Sequence, residues 1–433
     1  MAHYHQDDIP VIDVSRRFAW IVFALTFGLL ISDYMSRQVL NAVFPLLKAE
    51  WQLSDTQLGS LSGIVALMVG LLTVPLSILA DRWGRVKSLT LMALLWSFAT
   101  LLCGLSDNFG QMFAARFFVG IGEAAYGSVG IALVLSVFPP SLRATLASAF
   151  MAGGMFGSVL GMALGGVIAA QLGWRWAFVG MALFGLVLAA IYPFVVCAKR
   201  VAPQAQAIRQ QRPSLRGLIN NRSVLSAYVG SGLQLFVAAT LMAWMPSFMN
   251  RYYGMGTDQA GLIAGLFVLL MGVGTVLCGM LSDRLCRERA QHKITLAIAY
   301  CLLCCLLFSV GFRLQPGMMQ LLLLGFGMFL VAGTNGPAGA MVANLTHTAI
   351  HGTAFATLTL ANNFFGMAPG PFVTGILADW LGLSQALALI PLMSLIAAGV
   401  FFYAKRHYQR DAASVRELYN KEVDSSSDSV VSV

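Results

Sequence analysis

Charge is what this chain has least of. Of its 433 residues only 10% are Asp, Glu, Lys or Arg, where a soluble domain carries roughly 25%. Beside 58% hydrophobic residues, so little charge excludes a soluble globular protein. It excludes a soluble catalytic domain too, because apolar segments nearly fill the chain. Nucleophile–base pairs and metal-ligand sets are missing as well, so neither an enzyme nor a bound cofactor is expected. Cysteine is sparse and badly placed for redox work. Six of the seven cysteines lie in or at the ends of apolar segments, and Cys286 falls in a loop. Cys301-Leu-Leu-Cys304 has redox spacing but no His or acid near it, so it reads as packing or lipid-facing. The first seventeen residues lack the apolar run of a secretion signal and carry Asp7, Asp8 and Asp13 instead.

What the chain does have is long apolar runs. A membrane-crossing helix needs about 20 mostly apolar residues. Twelve such segments can be read: 18–47, 56–80, 86–105, 109–137, 142–171, 175–198, 223–249, 258–281, 292–312, 317–345, 351–378 and 383–404. The expected fold is an all-α membrane protein of twelve transmembrane helices. Residues 199–222 carry six basic residues and no acid, and read as a cytoplasmic linker between two six-helix bundles, 18–198 and 223–404. Residues 1–17 form a cytoplasmic N-terminal tail. Residues 405–433 form a cytoplasmic C-terminal tail, expected to be disordered from its alternating charge and its Asp424-Ser-Ser-Ser-Asp-Ser end. The net charge of +9 raises the question of nucleic acid. With both termini inside, however, 21 of the 27 Lys/Arg fall in cytoplasmic tails and loops. Four fall outside (Lys48, Arg175, Arg251, Arg313) and two within spans. This is the positive-inside pattern, so the charge sets topology and no nucleic-acid partner is expected. The chain reads as a monomeric multi-pass protein of a bacterial inner membrane, with membrane lipid around it.

The two halves repeat. Gln57-Leu58-Gly59 precedes Asp81-Arg82, and Gln259-Ala260-Gly261 precedes Asp283-Arg284, with 22 residues from glycine to aspartate in each case. Both aspartates begin an Asp-Arg-x-x-Arg loop, Asp81-Arg82-Trp83-Gly84-Arg85 and Asp283-Arg284-Leu285-Cys286-Arg287. A carboxylate and guanidinium held at a helix end can latch a neighbouring helix in one state and release it in another. With these loops after spans two and eight, twelve spans and a basic linker, the chain resembles the major facilitator superfamily over nearly its whole length. The resemblance implies two pseudo-symmetric bundles rocking about a central cavity, with Asp81, Arg82, Arg85, Asp283, Arg284 and Arg287 as gating residues. One departure is Ser77, where the family usually has glycine; the second copy keeps Gly279. In span five, Gly153, Gly157, Gly161 and Gly165 share one helical face. Static packing and a sliding surface both fit that face, and the resemblance implies a moving interface between domains. Gly120-Ile121-Gly122-Glu123 has some of the look of a dinucleotide fingerprint, but it lies inside an apolar span with no preceding strand and is set aside. His347 and His351, at the turn after span ten, fall where cytoplasmic pH could act on them.

Four ionisable residues lie inside spans, all in the first half: Asp33 and Arg37 in span one, Arg116 and Glu123 in span four. A charge at the bilayer centre costs about 2.5–3.5 kcal/mol on insertion scales, so such residues are commonly functional. Spacings of four and seven put each pair on one helical face. An arginine is the natural fork for a carboxylate or phosphate, and a buried carboxylate near it can exchange protons. Structural salt bridging between the two helices is the other reading. Arg116-Phe-Phe-Val-Gly-Ile-Gly-Glu123, Phe138-Pro-Pro-Ser-Leu-Arg143 and Gly173-Trp-Arg-Trp-Ala-Phe178 resemble the anion:cation symporters and the Spinster-like transporters. That resemblance implies Glu123 as a proton carrier and Arg37 and Arg116 as anion-binding residues. The aspartate those families carry next to the helix-one arginine is Ser36 here, and Asp33, one turn away, is the candidate to replace it.

The second half has no charge inside a span. Its polar candidates are Gln234, Thr334, Asn335, Asn362 and Asn363, as substrate contacts or as helix–helix hydrogen bonds. Tyr34 and Tyr126 are aromatic candidates for the cavity. The function expected is secondary transport by alternating access, driven by a proton gradient, with symport of a small organic anion such as a sugar acid. A Spinster-like carrier of lysophospholipid or another amphipathic lipid, and a proton-driven drug exporter, are the alternatives.

Overall fold

The computed structural model describes residues 14–196, 221–286, 290–346 and 350–431. Arg287, His347 and nearly all of the basic linker lie outside the described residues. Among the described residues the chain is helical and no strand occurs. The first half runs α1 (Arg16–Trp51), α2 (Asp55–Trp83), α3 (Arg85–Gly104), α4 (Phe109–Glu123), α5 (Tyr126–Ser136), α6 (Arg143–Leu172) and α7 (Trp174–Val195). The second half runs α8 (Arg222–Tyr253), α9 (Thr257–Leu285), α10 (Ala290–Gly311), α11 (Met318–Val331), α12 (Asn335–Leu345), α13 (His351–Asn362), α14 (Pro369–Leu381), α15 (Leu383–Leu389) and α16 (Leu392–Val431). Among these residues eleven continuous or nearly continuous helices are long and apolar enough to cross a membrane. The remaining expected span, the eleventh, is crossed by α13 and α14 with a π turn at Asn363–Met367 between them.

Local chemistry sets these boundaries. Ser54 and Gln57 form a reciprocal cap at the start of α2, with amide-to-side-chain bonds of 3.1 and 3.0 Å. Asn108 caps α4 by accepting from the Gln111 amide at 3.0 Å. Spans four and ten both break midway, at Ala124–Ala125 and at Ala332–Thr334. At the first break the Thr73 hydroxyl donates to the Ala124 carbonyl at 2.6 Å, satisfying a group that lipid could not. α16 departs from the disorder expected after Lys405: it stays helical to Val431. The segment contains no Gly or Pro, the two residues that break a helix most strongly. Asp411 ties it to the first turn of α8, where its carboxylate accepts from the Ser223 amide at 2.9 Å and hydroxyl at 2.7 Å.

The chain clusters into two compact units. The first holds the described residues of 1–207 with Leu241–Leu269 and Pro371–Leu383. The second holds those of 208–240 with Leu270–Gly370 and 384–433. In the first unit the glycine face of α6 lies on α1, against Ile31 and Tyr34 at Gly157, Met35 at Gly161 and Val39 at Gly165. A side chain at Gly161 would come within 2.7 Å of the Met35 backbone. This seam is internal to the first half, so the moving interface expected of these four glycines is not where they sit. Other small residues carry the crossings to second-half helices. Gly59 meets the Pro371 carbonyl, Gly375 the Asp55 carbonyl, and Gly166 the Thr257 carbonyl and Gly261. Phe44 and Trp244 pack with ring centroids 5.4 Å apart. The second unit is built on Val224, Ala227, Ile294, Cys301, Ala338 and Phe401, all essentially inaccessible. Cys301 and Cys304 are buried free thiols, so the pair packs a core and does not face lipid.

Candidate functional site

Asp33 and Arg37 are one turn apart on α1, and Glu123 is the last residue of α4, where the span breaks. The Arg37 Nε–H donates to Asp33 Oδ1 at 3.2 Å. Glu123 Oε2 lies 2.7 Å from the same nitrogen but off the N–H axis, so that contact is ionic and neither Glu123 oxygen receives an aligned hydrogen bond. The two carboxyl groups thus converge on one nitrogen of Arg37. Both acids are sealed from solvent, whereas the Arg37 side chain keeps 16% of its surface exposed. Its Nη atoms make no hydrogen bond among the described residues, and its guanidinium sits 5.1 Å from the centroid of the Tyr34 ring. A guanidinium held from behind by two acids, with its fork free, can accept a carboxylate or phosphate bidentately.

Arg116 has no such freedom. It is buried, and it donates to the carbonyls of Leu61 (3.3 Å), Ser36 (3.0 Å) and Arg37 (3.4 Å). These bonds brace α4 against α1 and α2 immediately behind the acid pair. Ser36 is buried and its hydroxyl lacks a partner among the described residues, while its carbonyl serves Arg116. Tyr126 belongs to the core: its hydroxyl donates to the Thr26 carbonyl at 2.9 Å and its ring packs edge-on against Trp96. The structure thus brings Asp33, Tyr34, Ser36, Arg37, Arg116 and Glu123 together and leaves Tyr126 deeper in the bundle.

The second unit carries the amide candidates. Gln234 is buried and donates to the Val331 carbonyl at 3.1 Å, while its own Oε1 has no partner among the described residues. Asn363, at the start of the π turn, donates to the Thr359 carbonyl at 2.9 Å. Asn362 is half-buried with Oδ1 unpartnered, the Thr334 hydroxyl is likewise unpartnered, and Asn335 is half-buried at the start of α12. Helical irregularities of this kind recur at functional sites.

The repeated loops hold local pairs. Asp81 takes the Arg85 Nε–H at 3.3 Å, and Arg85 also reaches the Ala132 carbonyl at 3.4 Å. Asp283 pairs with Lys293 at 2.5 Å. Arg82 and Arg284 are exposed. A second ionic cluster escaped the sequence reading. It lies at the opposite helix ends, on the face that the basic-loop asymmetry assigns to the outside. Asp55 receives Lys48 at 2.6 Å and both Arg251 Nη groups at 2.6 and 2.8 Å. Asp379 accepts from the Asp55 amide (2.7 Å), the Thr56 amide (2.9 Å) and the Thr56 hydroxyl (2.6 Å). Burial works against the charge on Asp379, yet these hydrogen bonds, with Lys48 nearby, hold its carboxyl below the ordinary aspartate range. The available signal was Lys48 and Arg251, two of only four basic residues outside.

These features define a polytopic membrane protein with a polar centre and ionic pairs at both ends, the build of a secondary transporter. The Major Facilitator Superfamily model matches residues 26–368, and the chain belongs to that family of transporters. It is 27% identical over 390 residues to an MFS-type efflux pump of Mycolicibacterium smegmatis, covering 88% of this chain and 91% of that one. It is 25% identical over 412 residues to a probable L-galactonate transporter of Escherichia coli, covering 90% and 89%. Among solved structures it matches a bacterial homolog of the human lysosomal transporter Spinster, in an inward-facing and unoccupied conformation. That match has a TM-score of 0.81 at 20% identity, covering 92% of this chain and 99% of the other.

Proposed function

We propose that this transporter is a proton-coupled symporter of a small organic anion, working by alternating access across a bacterial inner membrane with both termini cytoplasmic. The observation that carries this reading is Arg37, whose ε-nitrogen is held by Asp33 and Glu123 while its Nη atoms make no hydrogen bond among the described residues and its side chain stays partly exposed. Two acids and an incoming carboxylate compete for one guanidinium. A proton placed between Asp33 and Glu123 removes one of the charges holding Arg37, and the substrate carboxylate takes its place. Binding of proton and anion is then linked, each favouring the other. Asp33 fills the part that Ser36 cannot, and Arg116 holds the backbone on which the pair is mounted. The similarity to a probable L-galactonate transporter supports a sugar acid as cargo.

The test is a proteoliposome screen of carboxylates and lysolipids with an internal pH dye. A sugar acid or related carboxylate is expected to acidify the lumen as it accumulates. Glu123→Gln is expected to abolish gradient-driven accumulation while counterflow persists; accumulation that survives removes Glu123 from the proton path. Lysolipid movement without acidification would replace this reading with the lipid carrier, and outward proton-driven movement would replace it with export.

A further inference from the structure

The motif that ends α2, Ser77-Ile-Leu-Ala-Asp81-Arg-Trp-Gly84, recurs at the end of α14 as Gly375-Ile-Leu-Ala-Asp379-Trp-Leu-Gly382. Both copies close the same way. Gly84 and Gly382 have φ of 100° and 85°, and their amides return to Ala80 and Ala378 at 3.0 and 2.9 Å. The α6 end, Gly166-Val-Ile-Ala-Ala170-Gln-Leu-Gly173, is a third copy, with Gly173 at φ 92° and its amide on Ala169. The α2 motif lies at the end assigned to the cytoplasm, whereas the α6 and α14 copies lie at the outer end. At that end the first motif residue of each copy sits on the first turn of a helix from the other half, Gly375 on Asp55 of α2 and Gly166 on Thr257 of α9. One copy is acidic and the other is not: Asp379 stands where α6 has Ala170.

We infer that Asp379 is the gating residue of the outer end, a carboxylate that captures the N-terminus of α2 and must let go each time the outer side opens. Three donors converge on it, two of them the amides that an α-helix leaves unpaired at its start. Asp55, the first residue of the captured helix, is fastened by Lys48 of α1 and Arg251 of α8, so the α14 and α8 contacts act on one helix end. Among the described residues the cytoplasmic copies pair with neighbours within their own half, Asp81 with Arg85 and Asp283 with Lys293. Opening the outer end breaks three hydrogen bonds to one carboxylate, and the acid does this work without touching cargo. The inference rests on alternating access and on nothing about substrate or proton coupling, so failure of the Glu123 experiment leaves it standing.

The test is hydrogen–deuterium exchange by mass spectrometry on the full chain in lipid nanodiscs, for Asp379→Asn and the near-isosteric Thr56→Val. Asp379→Asn is expected to speed exchange about tenfold or more in the segments 55–60, 241–269 and 371–383 together, as loss of a charge-assisted hydrogen bond implies. Thr56→Val is expected to give the same pattern more weakly. Exchange that rises only in the first turn of α2 would make Asp379 a local cap and overturn the inference, as would a uniform rise that includes α10–α12. The pH profile separates the two roles further. The latched carboxyl lies below the ordinary value, so the latch is fully formed above about pH 4 and weakens as pH falls below it. The charged groups around it are Lys48, Asp55 and Arg251. The difference between wild type and Asp379→Asn is expected to shrink below about pH 4 and to be constant from pH 5 to 8; a gap that changes near neutrality overturns the assignment.

Discussion

At the scale of single residues, the two arginines within the spans carry the same charge and do different work. Arg37 holds two acids through one nitrogen and presents a free fork; Arg116 spends its donors on three backbone carbonyls. Arg37→Lys keeps the charge and loses the fork, so the protein is expected to fold with a normal melting temperature and to lose most anion affinity in a binding assay. Arg116→Lys is expected to lower thermal stability in detergent. One ammonium cannot serve three separated carbonyls, and each buried carbonyl left unpaired costs on the order of 1–3 kcal/mol. Equal melting temperatures for the two variants would remove the distinction. All four charges were legible in the sequence because the membrane makes an intramembrane charge expensive. Their division of labour was not, because spacing along α4 says nothing about which carbonyls of α1 and α2 come within reach. Tyr126 shows the same limit: an aromatic in a span looked like a cavity wall and proved to be core.

At the scale of helices, the glycine stripe of α6 was legible as a close-packed face and not as a face toward any particular neighbour. Period four along one helix identifies a seam; the partner is a matter of tertiary contact, and the partner is α1. A phenylalanine at Gly157 would meet the Ile31 carbonyl and Tyr34, the ring under Arg37. Gly157→Phe is therefore expected to cost stability and displace Arg37, abolishing transport. Full transport with a phenylalanine there would show that the seam yields. The breaks in spans four, ten and eleven belong to the same scale. Hydropathy read all three as continuous spans, because a one-turn interruption hardly changes the mean over twenty residues.

At the scale of the whole molecule, the sequence by itself determined the class, the crossings and the expected orientation. Each of those is a local property: a run of apolar residues long enough to span, a loop rich in Lys and Arg, an Asp-Arg loop at a helix end. The tertiary structure decided which charges meet. The Asp55 backbone amide and the Asp379 carboxylate that accepts from it are 324 residues apart, and that contact is written in no window of sequence. The sequence placed its latches at the Asp-Arg loops, where the motif is dense. The structure puts hydrogen bonds between helices of the two halves at the other end, on a motif copy with no arginine beside its aspartate. The reason is physical. Insertion energy acts on each segment separately, so a single helix records it. An ion pair or a helix cap acts only once two segments have been brought to within about 3 Å, so only the folded chain records that.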